Sequence, residues 1–353
     1  MPLSAQKAEL LAAGTVIPAH PLALTQRHTL DERRQCALTR YYAESGGGGI
    51  AVAVHTTQFE IRDPKIGLFE PVLQLAAATL DEQASYRHLL RIAGVAGDTG
   101  QAVREASIAR DLGYDAVLVS PGGLSHWSED ELLNRSAVIG EVLPVIGFYL
   151  QEAVGGRYLS KDYWRRLADQ PSTVAVKAAP FDRYRTVELV QGVALAERGN
   201  HVALYTGNDD NIVSDLLTPF IVRGTQGMIE RRFVGGLLGH WAVWTRSAVK
   251  LLELTKRAYQ GDISAMTAAL RLSVMVTDAN SAIFDSRNNF AGVIAGVHEV
   301  LRRQGLLEGI WCLDPNQTLS PCQADLINEA ILNSSASTSE QQFIDSNIER
   351  WLR

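Results

Sequence analysis

Short apolar runs rich in Val, Ile and Ala recur through the first two thirds of the chain. Each is followed by a longer segment whose apolar positions have helical spacing with charged residues between them. The runs at residues 15–19, 50–54, 91–95, 115–120, 144–149, 173–177 and 201–206, with a weaker one at 221–229, predict eight strands. They are nearly continuous rather than alternating, the pattern of parallel strands covered by helices outside and packed side chains within. Punctuation falls where helices should begin and end. Ser128-Glu129-Asp130-Glu131 has the form of a capping box, Thr99 and Ser160 are candidate N-caps, and Gly113 and Gly199 stand where a left-handed C-terminal residue is wanted. Eight such units closing on themselves make an α/β fold, a (β/α)8 TIM barrel.

Beyond about Gly235 the strand signal stops, and residues 236–257, 263–279, 289–304, 321–332 and 339–353 read as helices. The expected organisation is a barrel over residues 1–235 that carries the site. Residues 236–353 then supply the last barrel helix and a C-terminal helical appendage. No low-complexity linker interrupts the chain and no repeat exceeds the βα unit, so a second function has no separate segment to live in.

Composition narrows the partners. With 46% hydrophobic residues in a chain of 353, a sizeable core can be buried, and the net charge of -6 gives no general attraction for phosphate backbones or anionic lipid. Neither nucleic acid nor a membrane is an expected partner. Cys36, Cys312 and Cys322 are odd in number and have neither zinc-knuckle nor Cys-x-x-Cys spacing, which points to reduced thiols. Residues 1–14 lack the apolar core of a signal peptide, and the expected location is the cytoplasm.

The run Gly46 to Gly49 precedes a strand, whereas a phosphate cradle follows one; it reads as a helix ending at Ser45, a glycine stop and a flexible entry into the next strand. The G-x-x-x-x-G-K, G-x-S-x-G and H-E-x-x-H patterns are missing, and no metal or cofactor is expected. Lys177 ends the run Thr173-Val174-Ala175-Val176, at the strand end where barrels of this kind build active sites. There it either emerges into solvent or pairs with an acid, or, partly desolvated, loses its proton and acts as a nucleophile. Tyr149, closing the fifth run, either points into the same mouth or caps the core. Thr56 and Thr57, after the second run, offer hydroxyls and backbone N–H groups in a turn that suits a carboxylate or is turn chemistry alone. His240, on a glycine-rich stretch, reads as tight helix packing.

Taken in order, Thr56-Thr57, Tyr149, Val174-Ala175-Val176-Lys177, Gly207-Asn208-Asp209 and Gly227-Met228-Ile229 resemble the dihydrodipicolinate synthase and N-acetylneuraminate lyase family of class I aldolases, over residues 14–321. The resemblance implies that Lys177 forms an imine with a 2-oxo acid, that Tyr149 shuttles protons, and that Thr56 and Thr57 hold the carboxylate. His55, Asn208, Asp209, Gly227 and Ile229 are the further substrate-binding candidates, and a homo-oligomer, dimer or tetramer, is implied. An ungapped alignment puts Phe148 at the tyrosine position, while separation from Lys177 and the chemistry of a phenol favour Tyr149.

The departures are as informative. His55-Thr56-Thr57-Gln58-Phe59 stands where the synthases show Gly-Thr-Thr-Gly-Glu, Gly122-Gly123 replaces a tyrosine pair, and Ala153 and Val154 lie where an arginine is expected, with Arg157 beyond. Polar groups that could refill the site, among them Gln58, His126, Gln151 and Asn211, suit a hydroxyl-rich, sugar-derived 2-oxo acid. The expected function is a metal-independent lyase, an aldolase or dehydratase, acting on a 2-oxo acid through a lysine Schiff base. A synthase condensing pyruvate with an aldehyde, and a degenerate barrel that binds a 2-oxo acid without turnover, are the alternatives.

Overall fold

A computed structural model of the chain describes residues 2–353. Among the described residues there are ten strands: β1 Val16–Pro18, β2 Gly49–Val52, β3 Leu90–Val95, β4 Ala116–Val119, β5 Val145–Leu150, β6 Thr173–Ala179, β7 Ala203–Thr206, β8 Phe220–Gly224, β9 Gly227–Arg231 and β10 Phe233–Leu238. Eight of them form one parallel sheet in the order β1-β10-β7-β6-β5-β4-β3-β2, with helices between, and the fold is a (β/α)8 TIM barrel with C-terminal helices. Among the described residues no helix is long and apolar enough to cross a membrane.

The weak eighth run is corrected. Residues 220–231 are an antiparallel hairpin, β8 with β9, outside the barrel sheet. Its first strand alternates, with Phe220 and Val222 buried and Ile221 and Arg223 exposed, which is the signature of a strand covered on one face only. The last barrel strand is instead β10, which runs through Gly235 and Gly236, so the stretch expected to open a helix at 236 is strand, and the helix starts at Thr245. Glycine is required there: a Cβ at Gly235 would lie 2.4 Å from the Thr15 carbonyl oxygen and 2.9 Å from the Tyr205 ring.

The chain divides into two compact units, residues 1–15 with 90–237 and residues 16–89 with 238–353. In the first, the helices that follow β3, β4, β5 and β6 all start on a side-chain cap: Asp98, Ser128, Ser160 and Asp182 accept from the N–H groups of Gln101, Glu131, Tyr163 and Arg185. Ser128 and Ser160 are the caps expected from the sequence, the former in a capping box, while Asp98 takes the place expected for Thr99. Helix Ala5–Ala13, capped by Ser4 and stopped by Gly14, is tied down by Lys7 to Asp115 at 2.6 Å and by the Tyr205 hydroxyl donating to the Leu11 carbonyl at 2.9 Å.

In the second unit, helix Glu32–Glu44 ends at Ser45, with Gly46 at φ 91°, as the glycine stop requires. The strand edges β1 and β2 meet there through a parallel bridge between Ala19 and Ala51. The C-terminal helices are anchored by one buried carboxylate. Glu340 accepts from the Tyr41 hydroxyl at 2.7 Å, from the N–H of Arg246 at 3.1 Å, and from the N–H and hydroxyl of Ser247 at 3.0 and 2.9 Å. It therefore caps helix Thr245–Tyr259 from a distant segment, where a negative charge meets the positive end of the helix dipole. Tyr41, Phe343 and the buried Trp351 pack around it, with ring centroids 5.3 to 6.4 Å apart.

Removing that carboxylate strands several buried donors. Glu340→Ala is expected to cost about 3 kcal/mol or more in urea unfolding, with Glu340→Gln losing less because its amide oxygen still accepts. Equal stability of Glu340→Ala and the parent protein would show that water replaces the cap.

Candidate active site

In a parallel sheet, residues paired across neighbouring strands share a face. Phe148, Lys177 and Tyr205 are paired in register on β5, β6 and β7 and so line one face, while Tyr149, Ala178 and Thr206 line the other. The contacts agree. The Lys177 ammonium nitrogen lies 4.4 Å from the centre of the Phe148 ring, and Gly207, just past β7, lies against the lysine stem, since a Cβ there would be 2.4 Å from Lys177 Cε. Lys177 stands two residues before the end of its strand and keeps only 9% of its surface exposed. Burial lowers its pKa to about 8, an effect that the negative charge of Asp209 opposes.

Tyr149 does not join Lys177. It stacks on Trp164 of the outer helix Lys161–Asp169, with ring centroids 5.2 Å apart, and its oxygen accepts from the Leu159 N–H at 3.4 Å. The ambiguity between Phe148 and Tyr149 is thus resolved in favour of Phe148 as the aromatic neighbour of the amine. A shift of one residue along a strand exchanges the two faces.

The loop after β7 is rigidly held. Asn208 donates to Thr186 at 3.1 Å and to Asp215 at 2.9 Å, and its oxygen accepts from the N–H of Phe181, a residue at φ 51° in the loop after β6. Its side chain is therefore committed to the protein, although the sequence marked it as a substrate ligand. Asp215, fully buried, collects Thr206 at 2.6 Å, Asn208, Asn211 at 3.1 Å and Arg183. Desolvation raises its pKa and these donors pull it back. A polar cavity of about 310 Å³ lies beside them, lined by Asp182, Arg183, Thr186, Asn208, Asp210 and Asn211 among others. Asp209 is buried and is not among the lining residues. No composition cue marked Asp215; its place one helical turn after Asn211 was the available signal.

In the second unit, His55-Thr56-Thr57 form a short 3-10 turn after β2. Thr57 is spent on the fold, donating to the His20 carbonyl at 2.7 Å and accepting from the Val54 N–H. Thr56 is buried with a hydroxyl that has no protein partner. Gln58 adopts φ 68°, the region that favours glycine, and binds the Leu313 N–H through its side-chain oxygen at 2.6 Å. His55 lies 5.8 Å from the Phe59 ring. Leu238-Gly239-His240, at the end of β10, occupy the strand-end position expected for Gly227 and Ile229, which lie on the hairpin instead. A Cβ on Gly239 would be 3.6 Å from the Thr56 methyl group. His240 is buried against Trp244, and desolvation lowers its pKa to about 4, so it is neutral near pH 7. Among the described residues no group of three or more His, Cys, Asp or Glu side chains could hold a metal ion.

Gly122 and Gly123 follow β4 with no side chains, and Val154 is in a short turn after β5. Arg157 is bound to the carbonyls of Ser125, Trp127 and Tyr158.

No family model and no curated protein matches the chain in sequence. Solved structures match its fold over nearly the whole length. The 4-hydroxy-tetrahydrodipicolinate synthase of Methylacidiphilum fumariolicum SolV superposes with a TM-score of 0.73 at 17% identity, covering 94% of this chain and 98% of that one. Dihydrodipicolinate synthase of Oceanobacillus iheyensis gives 0.71 at 17%, covering 92% and 98%. N-acetylneuraminate lyase of Fusobacterium nucleatum gives 0.70 at 16%, covering 90% and 98%. The chain thus has the barrel fold of dihydrodipicolinate synthases and N-acetylneuraminate lyases.

Proposed function

We propose that this protein is a metal-independent lyase, an aldolase or dehydratase of the dihydrodipicolinate synthase and N-acetylneuraminate lyase kind, acting on a 2-oxo acid through an imine at Lys177. The observation that carries the reading is the buried amine of Lys177 near the C-terminal end of a barrel strand, where desolvation pushes its pKa down to about 8. A neutral amine adds to a ketone and expels water. The protonated imine then draws electrons from the neighbouring carbon, so that a C–C bond can break or a leaving group depart. Of the pair assigned to the substrate carboxylate, Thr56 supports that role with its unpartnered hydroxyl, whereas the hydroxyl of Thr57 serves the turn. A hydroxylated, sugar-derived acid is favoured over aspartate semialdehyde because the second-carboxylate arginine is missing.

A barrel that binds a 2-oxo acid without turnover is the second reading. It is favoured by Phe148, which sets a ring without a hydroxyl beside the amine, and by Gly122-Gly123.

Reduction with borohydride in the presence of pyruvate is expected to add mass at Lys177 and nowhere else, and Lys177→Ala should abolish the adduct. Labelling at Lys161 or Lys250 would refute the assignment. The amine reacts only when unprotonated, so with cyanoborohydride the initial trapping rate should climb with pH up to about 8 and then level off. A rate still climbing toward 10 would mean an ordinary, solvated lysine. Turnover of pyruvate with aspartate semialdehyde should be about a thousandfold below that of a typical metabolic enzyme, given several lost interactions worth about 4 kcal/mol together. Full synthase activity would contradict the narrowing of substrate class.

A further inference from the structure

An imine is useful only if a proton can leave or reach the adjacent carbon, and the phenol expected to do this is turned away. Tyr149 stacks on Trp164 behind the sheet, and Phe148, which does face Lys177, has no exchangeable proton. Tyr205, the other in-register neighbour of Lys177, donates its hydroxyl to the Leu11 carbonyl. The proton carrier must therefore come from a loop.

The loop after β7 presses on the lysine itself. Gly207 touches the Lys177 stem so closely that a Cβ would stand 2.4 Å from Cε and 3.1 Å from Cγ. Two residues further on is Asp209, 6% exposed. Its neighbours fix the register of the loop. Asn208 is pinned toward Thr186, Asp215 and Phe181, and Asp210 lines the polar cavity beside that cluster. Asp209 sits between them, buried but outside that lining.

We infer that Asp209 is the general base and acid of this site, taking the proton from the carbon next to the imine in the role that a tyrosine would otherwise fill. The inference rests on the imine reading above. In the step, the Lys177 amine and the ketone first condense to a protonated imine with release of water. A carboxylate oxygen of Asp209 then removes one proton from C3, the C3–H electron pair becomes the C2–C3 double bond, and the C–N π pair moves onto nitrogen. Asp209, now protonated, returns the proton to C3 or to a departing group. Asp209 acts electrostatically on Lys177, and loss of the positive charge when the enamine forms raises the affinity of its carboxylate for the proton.

The test uses the full chain and pyruvate. Exchange of the pyruvate methyl protons with D2O is followed by NMR, and borohydride trapping of the same sample is followed by mass spectrometry. Asp209→Asn is expected to keep trapping at Lys177 while slowing methyl exchange at least a hundredfold, and Asp209→Glu should recover part of the exchange. If the amide is not tolerated, Asp209→Ser makes the same comparison. Normal trapping together with undiminished exchange in Asp209→Asn would overturn the inference and leave the imine reading intact. Absence of an adduct in the parent protein would refute the imine reading, and this inference with it.

Discussion

A parallel strand gives each residue one of two faces, and the register of β5, β6 and β7 decides what surrounds Lys177. It sets Phe148, Lys177 and Tyr205 in one row and sends Tyr149, Ala178 and Thr206 to the other side. The proposed imine at Lys177 follows from that row. An aromatic ring covers one side of the amine, the backbone of Gly207 covers another, and water is kept away from a charge that would otherwise be well solvated. The lysine responds by becoming easier to deprotonate, which is the property a nucleophilic amine needs at neutral pH.

Each unit also holds strained backbone in place. Phe181 and Gln58 carry positive φ without being glycine, and both are locked by hydrogen bonds: the Phe181 N–H to Asn208 and the Gln58 side chain to Leu313. Asp215, a buried carboxylate, is tolerated because it gathers four donors, and through them it fixes Asn208 and the loop that carries Asp209. Asn208 is thus structural and Asp210 faces the polar cavity, and Asp209 is the loop carboxylate nearest in sequence to the Gly207 contact.

Much of the barrel was legible because parallel strands buried on both faces carry unbroken apolar runs. The first seven strands fell within two residues of the runs that announced them, and Ser128 and Ser160 announced their helices. The eighth was hidden for a physical reason. Close approach of Thr15 and Tyr205 demands glycine at 235, and glycine lowers every strand signal, so the alternating hairpin at 220–231 was the stronger candidate. The site was legible by residue type but not by direction. Lys177 and the Thr56-Thr57 turn were visible in the sequence, yet periodicity alone does not say which of Phe148 and Tyr149 faces the amine, nor that Thr57 and Asn208 would be consumed by the fold.

Burial lowers the pKa of one lysine of this chain, Lys177, to about 8. Selective 13Cε labelling of the lysines, followed by an NMR pH titration, measures this directly. One resonance is expected with a midpoint near 8 that is missing from Lys177→Ala, with the other lysines titrating in the usual range. A Lys177 resonance titrating with a midpoint near 10.5 would contradict it.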